Sequence, residues 1–289
     1  METYKQSKEN EPKMSGFSLD LSKISTRVMQ ELAKQITNIP IKSVQEIIKD
    51  STMEIERLES VGNPKYALEK LTPEIAKNTV ALWVFSGPDD NNDKDRYKHI
   101  KWAHGMDQAR LNYAALLERK MSELCEPETS IGKGPMNMSE KIQKTKELIE
   151  RSGPTIIYNG SDPLNTNVEN SLKQERMIIP EKKVFIDGKG IVNTVDQIKD
   201  FSLPEELHQK NKEIGIISHA PHLLRIMHML NKYQTLPKDM TIRLYPISSP
   251  IGGNQEYAEL ETMGLLYYIA NKNATKESYP YIIHGEIKK

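Results

Sequence analysis

Three side chains in the segment EIGIISHAPHLLRIMHML, residues 213–230, are of types that bind and transform anions: His219, His222 and Arg225. A histidine titrates near neutrality and an arginine keeps its charge. Side by side, they can move a proton and hold a phosphate or a carboxylate. His222 and Arg225 stand three residues apart, which on a helix puts them on one face. His222 is therefore a candidate general acid or base, and Arg225 a candidate anion partner. The structural alternative stays open, with Arg225 neutralising a carboxylate of the fold and His222 capping a turn. His219 and Ser218 are placed to touch a ligand, and Ser218 lacks the glycine elbow that exposes a nucleophile. His228 lies six residues beyond His222 and suits packing better than a metal set, whose ligands must converge. No metal is expected.

The elements around these residues follow from hydrophobic spacing. Ile214, Gly215, Ile216 and Ile217 form a short apolar run of buried-strand type, ended by Ser218 to Pro221. Beyond Pro221 the period turns helical, with Leu223, Leu224, Met227 and Leu230 on one face. A strand, a tight turn and a helix place His219, His222 and Arg225 at the carboxyl edge of a sheet. They lie beside a helix N-terminus whose free N–H groups attract anions.

Further strands are expected at Val80–Phe85, Thr155–Tyr158, Lys183–Ile186 and Thr241–Tyr245, with an added edge strand at Tyr281–His284. Helices are expected from about Arg96 to Glu126, from Ser139 to the stop at Gly153-Pro154, and over Asn167–Ile178, Asn193–Asp200 and Glu256–Asn271. Repeated βα units of this length predict an α/β protein with a doubly wound, mainly parallel five-stranded sheet and helices on both faces.

The polar ends of these strands supply more candidates. Ser86 and Gly87 follow the first strand, and Gly160 with Ser161 follows the second. Gly160 permits a tight turn and close backbone approach to a ligand. Asn193 and Thr194 cap a short helix and present N–H donors at the same edge. Glu169 and Asp187 are the candidate acids, each able to accept a proton, hold a ribose-type diol or neutralise Arg225. Gly252-Gly253-Asn254 could close over a ligand or simply connect two elements. Asp89, Asp90 and Asp93 superficially resemble a calcium loop but lack its Gly and terminal Glu, so a solvated acidic loop is expected.

Among 289 residues, 40 basic and 40 acidic side chains cancel, so nothing in the balance points to nucleic acid or an anionic membrane surface. A single cysteine, Cys125, excludes an intrachain disulfide framework and a Cys-rich zinc site. The N-terminus lacks the apolar core of a signal peptide, and no run approaches a membrane span. The expectation is a soluble, cytoplasmic protein. Residues 1–16 read as a disordered tail, residues 17–75 as a helical extension able to take a protein partner, and residues 76–289 as the α/β domain. In the extension Val44, Ile47, Ile48, Met53, Ile55 and Leu58 recur at helical spacing.

Read together, these motifs resemble the YdcF/SanA/ElyC family of Rossmann-like proteins over about residues 79–271. Arg110-Leu111 and Tyr113-Ala114 follow the first strand as in the family's Arg and Ala pattern. Asn159-Gly160-Ser161 stands where the family has Ser-Gly-Gly, and an acid, Glu169, follows on the next helix. Asn193-Thr194-Val195-Asp196-Gln197 is close to Asn-Thr-x-Glu-Asn, and Ser218-His219-Ala220-Pro221-His222-Leu223-Leu224-Arg225 is similar to Thr-Ser-x-x-His-x-x-Arg. The resemblance adds Arg110 to the ligand-binding candidates. It implies a nucleotide-like or phosphorylated small ligand, with S-adenosylmethionine or a nucleotide as cofactor class, since one member is reported to bind S-adenosylmethionine. Other members are linked to envelope polysaccharide and peptidoglycan maintenance. The leading expectation is a small-molecule-binding protein, read as an enzyme. The alternatives are a regulatory or interaction protein without catalysis, and a phosphoesterase acting on envelope precursors.

Overall fold

A computed structural model describes residue 30 and residues 39–87, 106–128, 137–173, 179–186, 188–249 and 254–286. The apolar runs form strands β1 (Thr79–Phe85), β2 (Thr155–Asn159), β3 (Val184–Ile186), β4 (Glu213–His219), β5 (Thr241–Ile247) and β6 (Ile282–Ile283). They make one sheet in the order β3-β2-β1-β4-β5-β6, and every pairing is parallel. The sheet thus has six strands among the described residues, not five, because the edge segment near Tyr281 pairs with β5.

β1 and β4 are buried almost throughout, as expected of central parallel strands covered on both faces. From β1 the chain winds outward through β2 and β3, then returns to β4 on the other side of β1. The connections therefore diverge between β1 and β4, the position at which sheets of this order form a crevice at their carboxyl ends. This is a Rossmann-like arrangement.

In chain order the helices are α1 (Ile41–Ser60), α2 (Pro64–Glu69), α3 (Pro73–Asn78), α4 (Met106–Cys125), α5 (Met138–Ser152), α6 (Asp162–Lys173), α7 (Thr194–Lys199), α8 (Ala220–Tyr233) and α9 (Asn254–Ala270). One face of the sheet is covered by α1, α7, α8 and α9, through residues such as Leu58, Ile198, Leu223 and Leu265 around Trp83 and Ile216. The other is covered by α2, α3, α4 and α6, through Ala67, Ala76, Leu117 and Val168 around Leu82 and Ile156. No helix among the described residues is long and apolar enough to cross a membrane.

Two boundaries differ from the expectation for physical reasons. α6 begins at Asp162, five residues before Asn167, because a proline in the first turn gives up only an N–H that has no helical partner. Its end beyond Lys173 lies outside the described residues. β5 continues through Pro246 to Ile247. β6 reaches only Arg243 and Leu244, so at Pro246 the outer side of β5 has no ladder to interrupt among the described residues.

The described part of the N-terminal extension shares the domain's core. Val44, Ile47, Ile48, Ile55 and Leu58 of α1 are buried with the sheet, while Met53 is 59% exposed. The end of α1 also fastens the segment after β5: the Ser249 N–H and hydroxyl donate to Glu59, and the Ser248 N–H donates to the Gly62 carbonyl at 2.8 Å. A Cβ at Gly62 would lie 2.6 Å from the Ser248 nitrogen, so this approach requires glycine. Residues 1–16, the acidic loop of Asp89, Asp90 and Asp93, residues 96–105, Asp187 and Gly252-Gly253 lie outside the described residues.

Candidate functional site

The end of β4 is polar, although the whole strand is buried. Ser218 and His219 are its last residues, and α8 starts at Ala220 with Pro221 in its first turn. His219 occupies the N-cap position without a capping hydrogen bond from its side chain. Its Nδ1 instead accepts from Arg110 Nε at 3.1 Å, which leaves the ring proton on Nε2. Burial, and secondarily the Arg110 charge, push the His219 pKa down to about 2.

His222, in the first turn of α8, is held from both sides. Its Nδ1 lies 3.1 Å from Ser218 Oγ and its Nε2 3.3 Å from Thr194 Oγ1, while Phe85 meets the ring edge-on at 6.2 Å. Burial drives its pKa well below the ordinary histidine value, helped by the charges of Arg225 and Arg110 and by His219. It is therefore a neutral imidazole that ties β4 to α7 at physiological pH.

Arg110 reaches this point from the first described turn of α4 and is completely buried. Its Nη1 donates to the Phe85 carbonyl at 2.8 Å and meets Asp107 Oδ1 at 3.4 Å. Its Nη2 has no partner among the described residues. Two of its three acceptors are neutral, and the one carboxylate is at the far limit of a hydrogen bond. Asp107 accepts from the Gly87 N–H through Oδ1 and from Tyr158 OH at 2.9 Å through Oδ2. A Cβ on Gly87 would come within 3.0 Å of Asp107 Oδ1 and 3.2 Å of Arg110 Nη1, so the absence of a side chain there lets the three groups meet.

A second network closes the β2 side. Gln197 of α7 donates to Ser86 Oγ and to the Asn159 carbonyl at 2.9 Å. Asn159 donates back to the Gln197 carbonyl at 2.7 Å and accepts from Trp83 Nε1 at 2.8 Å. Fully buried amides require such reciprocal pairing. The Gly160 N–H goes to Asn165 Oδ1 at 2.8 Å, and Asn193 caps α7 by accepting from the Val195 and Asp196 N–H groups at 2.8 and 3.2 Å.

Of the residues singled out in the sequence, Ser86, Gly87, Arg110, Thr194, Ser218, His219 and His222 come together over the ends of β1 and β4. Gly160 is buried at the end of β2 with Ser161 beside it, and Asn193 stands exposed at its cap. Arg225 is engaged elsewhere. Its Nε lies 2.6 Å from Glu261 Oε2 on α9, and its guanidinium rests over the Tyr268 ring at 5.5 Å. The carboxylate that neutralises it is thus Glu261 and not Glu169, which is exposed on α6. His228 bonds the Thr275 carbonyl at 2.9 Å, a packing role. Asp107, Tyr158, Asn159 and Gln197 were not among the candidates. Asp107 carried one signal, its place one helical turn before Arg110. Among the described residues no group of three His, Cys, Asp or Glu side chains is disposed to hold a metal ion. Comparison with protein-family models, with curated proteins and with solved structures found no match.

Proposed function

We propose that this chain binds a small phosphorylated or nucleotide-like molecule in the crevice between β1 and β4, with Arg110 as the anion anchor. One observation carries the reading: Arg110 is fully buried at the carboxyl end of β1 and has an Nη2 without an acceptor among the described residues. Burying an unmet charged donor costs several kcal/mol, and an incoming anion removes that cost. The N-terminus of α8 faces the same edge and favours negative charge. S-adenosylmethionine and nucleotides fall within this class, as the YdcF/SanA/ElyC resemblance implies.

The test is a thermal-shift screen of S-adenosylmethionine, adenine nucleotides, nucleotide sugars and simple phosphates against the wild-type chain and Arg110→Met. A ligand that binds only the native state raises the melting temperature by mass action. A shift for one class that is lost in Arg110→Met supports the reading. No shift with any of them, or a shift that survives the substitution, overturns it.

His222 favours a second reading, a sensor that binds without turning over. Both its nitrogens are occupied by hydroxyl groups and its charged form is strongly disfavoured, so it is poorly placed to give or take a proton. If His222→Asn keeps ligand affinity and no turnover is found in either protein, the chain is a sensor; if turnover exists and is lost in the variant, it is an enzyme.

A further inference from the structure

Within the crevice, one carboxylate sits where several donors converge. The backbone N–H of Gly87, the hydroxyl of Tyr158 and the Nη1 of Arg110 all point at Asp107. A main-chain amide, a phenol and a guanidinium around one point make an anion cradle of the kind that holds oxyanions at strand ends. Here the chain's own side chain fills it.

The fit is incomplete in an informative way. A carboxylate has two oxygens, and among the described residues Oδ1 meets Gly87 and Arg110 and Oδ2 meets Tyr158. Arg110 Nη1 is left with a long 3.4 Å contact, and Nη2 of the same guanidinium has no partner among the described residues. Guanidinium groups pair best through two parallel N–H···O bonds, and Asp107 supplies at most one of them. A tetrahedral oxyanion offers one or two further oxygens. In the same place it can accept from Gly87, from Tyr158 and from both Nη1 and Nη2. Asp107 is also the member best able to leave, since its side chain keeps 19% of its surface exposed whereas Arg110 has none.

We propose that Asp107 is a displaceable occupant that holds the place of a phosphoryl group. The ligand then binds by expelling this carboxylate toward solvent and taking over its donors. Asp107 thereby sets specificity as well. An incoming acetate-like carboxylate only reproduces bonds that Asp107 already makes, whereas a phosphate or sulfate group gains the Nη2 bond. The proposal rests on the reading of Arg110 as anion anchor and narrows it to tetrahedral oxyanions.

The experiment titrates inorganic phosphate, sulfate and acetate into the wild-type chain, Asp107→Ser, Asp107→Asn and the double variant Asp107→Ser/Arg110→Met, by calorimetry and by melting temperature. Removal of the internal competitor should tighten phosphate and sulfate binding at least tenfold in Asp107→Ser. In Asp107→Asn, which keeps the shape of the side chain and guards against a folding defect, the gain should be smaller but still present. Acetate should gain less than phosphate, and the double variant should lose the gain. Phosphate binding that is unchanged or weaker in both single variants overturns the proposal. If the wild-type response to its ligand class still depends on Arg110, the anion-anchor reading survives that result. If no variant responds to any anion, both fail.

Discussion

Arg110, fully buried, and Arg225, partly buried, are both cations packed near α8, and the fold treats them in opposite ways. Arg225 has a dedicated carboxylate: Glu261 Oε2 lies 2.6 Å from its Nε as an ion pair and Oε1 accepts from its Nη2 at 3.3 Å, with a tyrosine ring beneath. Arg110 is more deeply buried, yet its short bonds go to a carbonyl and an imidazole, its carboxylate is 3.4 Å away and one nitrogen is unmet among the described residues. A cation paired with its own carboxylate stabilises the fold and has little left to offer a ligand. A cation buried without full compensation is a strained arrangement that a ligand relieves. Distance from a histidine motif along the sequence does not separate the two cases; the identity of their acceptors does.

The sharpest way to break this comparison is to make the same substitution at each arginine. Arg110→Met is expected to weaken binding of the responsive ligand class on the order of 100-fold, the loss of a charge-assisted pair worth roughly 3 kcal/mol. Arg225→Met should leave that affinity within about threefold. Equal losses in calorimetric titration would erase the distinction. Stability should show the reverse ranking. Arg225→Met strands Glu261, whose side chain is only 9% exposed, and should cost on the order of 3 kcal/mol in urea unfolding. The pair Arg225→Met/Glu261→Met should recover most of it, and a double variant no more stable than the single one would contradict the assignment.

The histidine beside Arg110 sharpens the comparison through pH. The folded pKa of His219 is depressed to about 2, so its contribution to stability is complete above the ordinary histidine value near 6.5. It is lost as pH falls from there toward 2, because the unfolded chain takes up the proton and the folded chain does not. By pH 5 the loss is about 2 kcal/mol for this group. Unfolding midpoints at pH 7.5 and 5.0 should therefore fall further in the wild-type chain than in His219→Asn, and parallel losses would show that the ring is protonated in the fold.

The smallest expected effect concerns a second contrast, between two acids on α4. Asp107 is saturated with donors, whereas Glu118, eleven residues later, is fully buried with neither oxygen bonded among the described residues. Burial raises its pKa well above the ordinary carboxylate value. Stability from Glu118 is therefore complete below about pH 4.5 and is lost as pH rises toward the folded value. Glu118→Leu should stabilise the chain by about 1–2 kcal/mol at pH 8 and by less at pH 4; a lower melting temperature at both would mean that the carboxyl has a partner.

Much of the fold was legible because burial writes itself into composition. Val80–Phe85 and Ile214–Ile217 are apolar runs with few alternatives to a central parallel strand, and the strand ends bearing Gly87, Gly160 and His219 follow from them. The site was legible only where it lies within a few residues of a strand end. Only the family resemblance pointed to Arg110, since α4 buries Arg110 and Glu118 alongside Leu111, Leu117 and Met121, so its polar residues do not mark its outer face. The Arg225–Glu261 pair joins two helices 36 residues apart, and no local pattern announces such a partner. Gln197 and Asn159 owe their roles to mutual amide pairing across 38 residues, which depends on the register of β2 against α7.

The long reach of the Arg110 bond to His219, 109 residues along the chain, also sets a schedule for synthesis. At roughly 5–20 residues per second, on the order of ten seconds separate the two residues on the ribosome. During that interval the growing chain carries Gly87, Asp107 and Arg110 but neither β4 nor α8. The crevice is closed on one side only, and the guanidinium lacks its imidazole. On the proposed reading, a ligand therefore cannot help the first half of the protein to fold; it can only seal a sheet whose last central strand has already arrived.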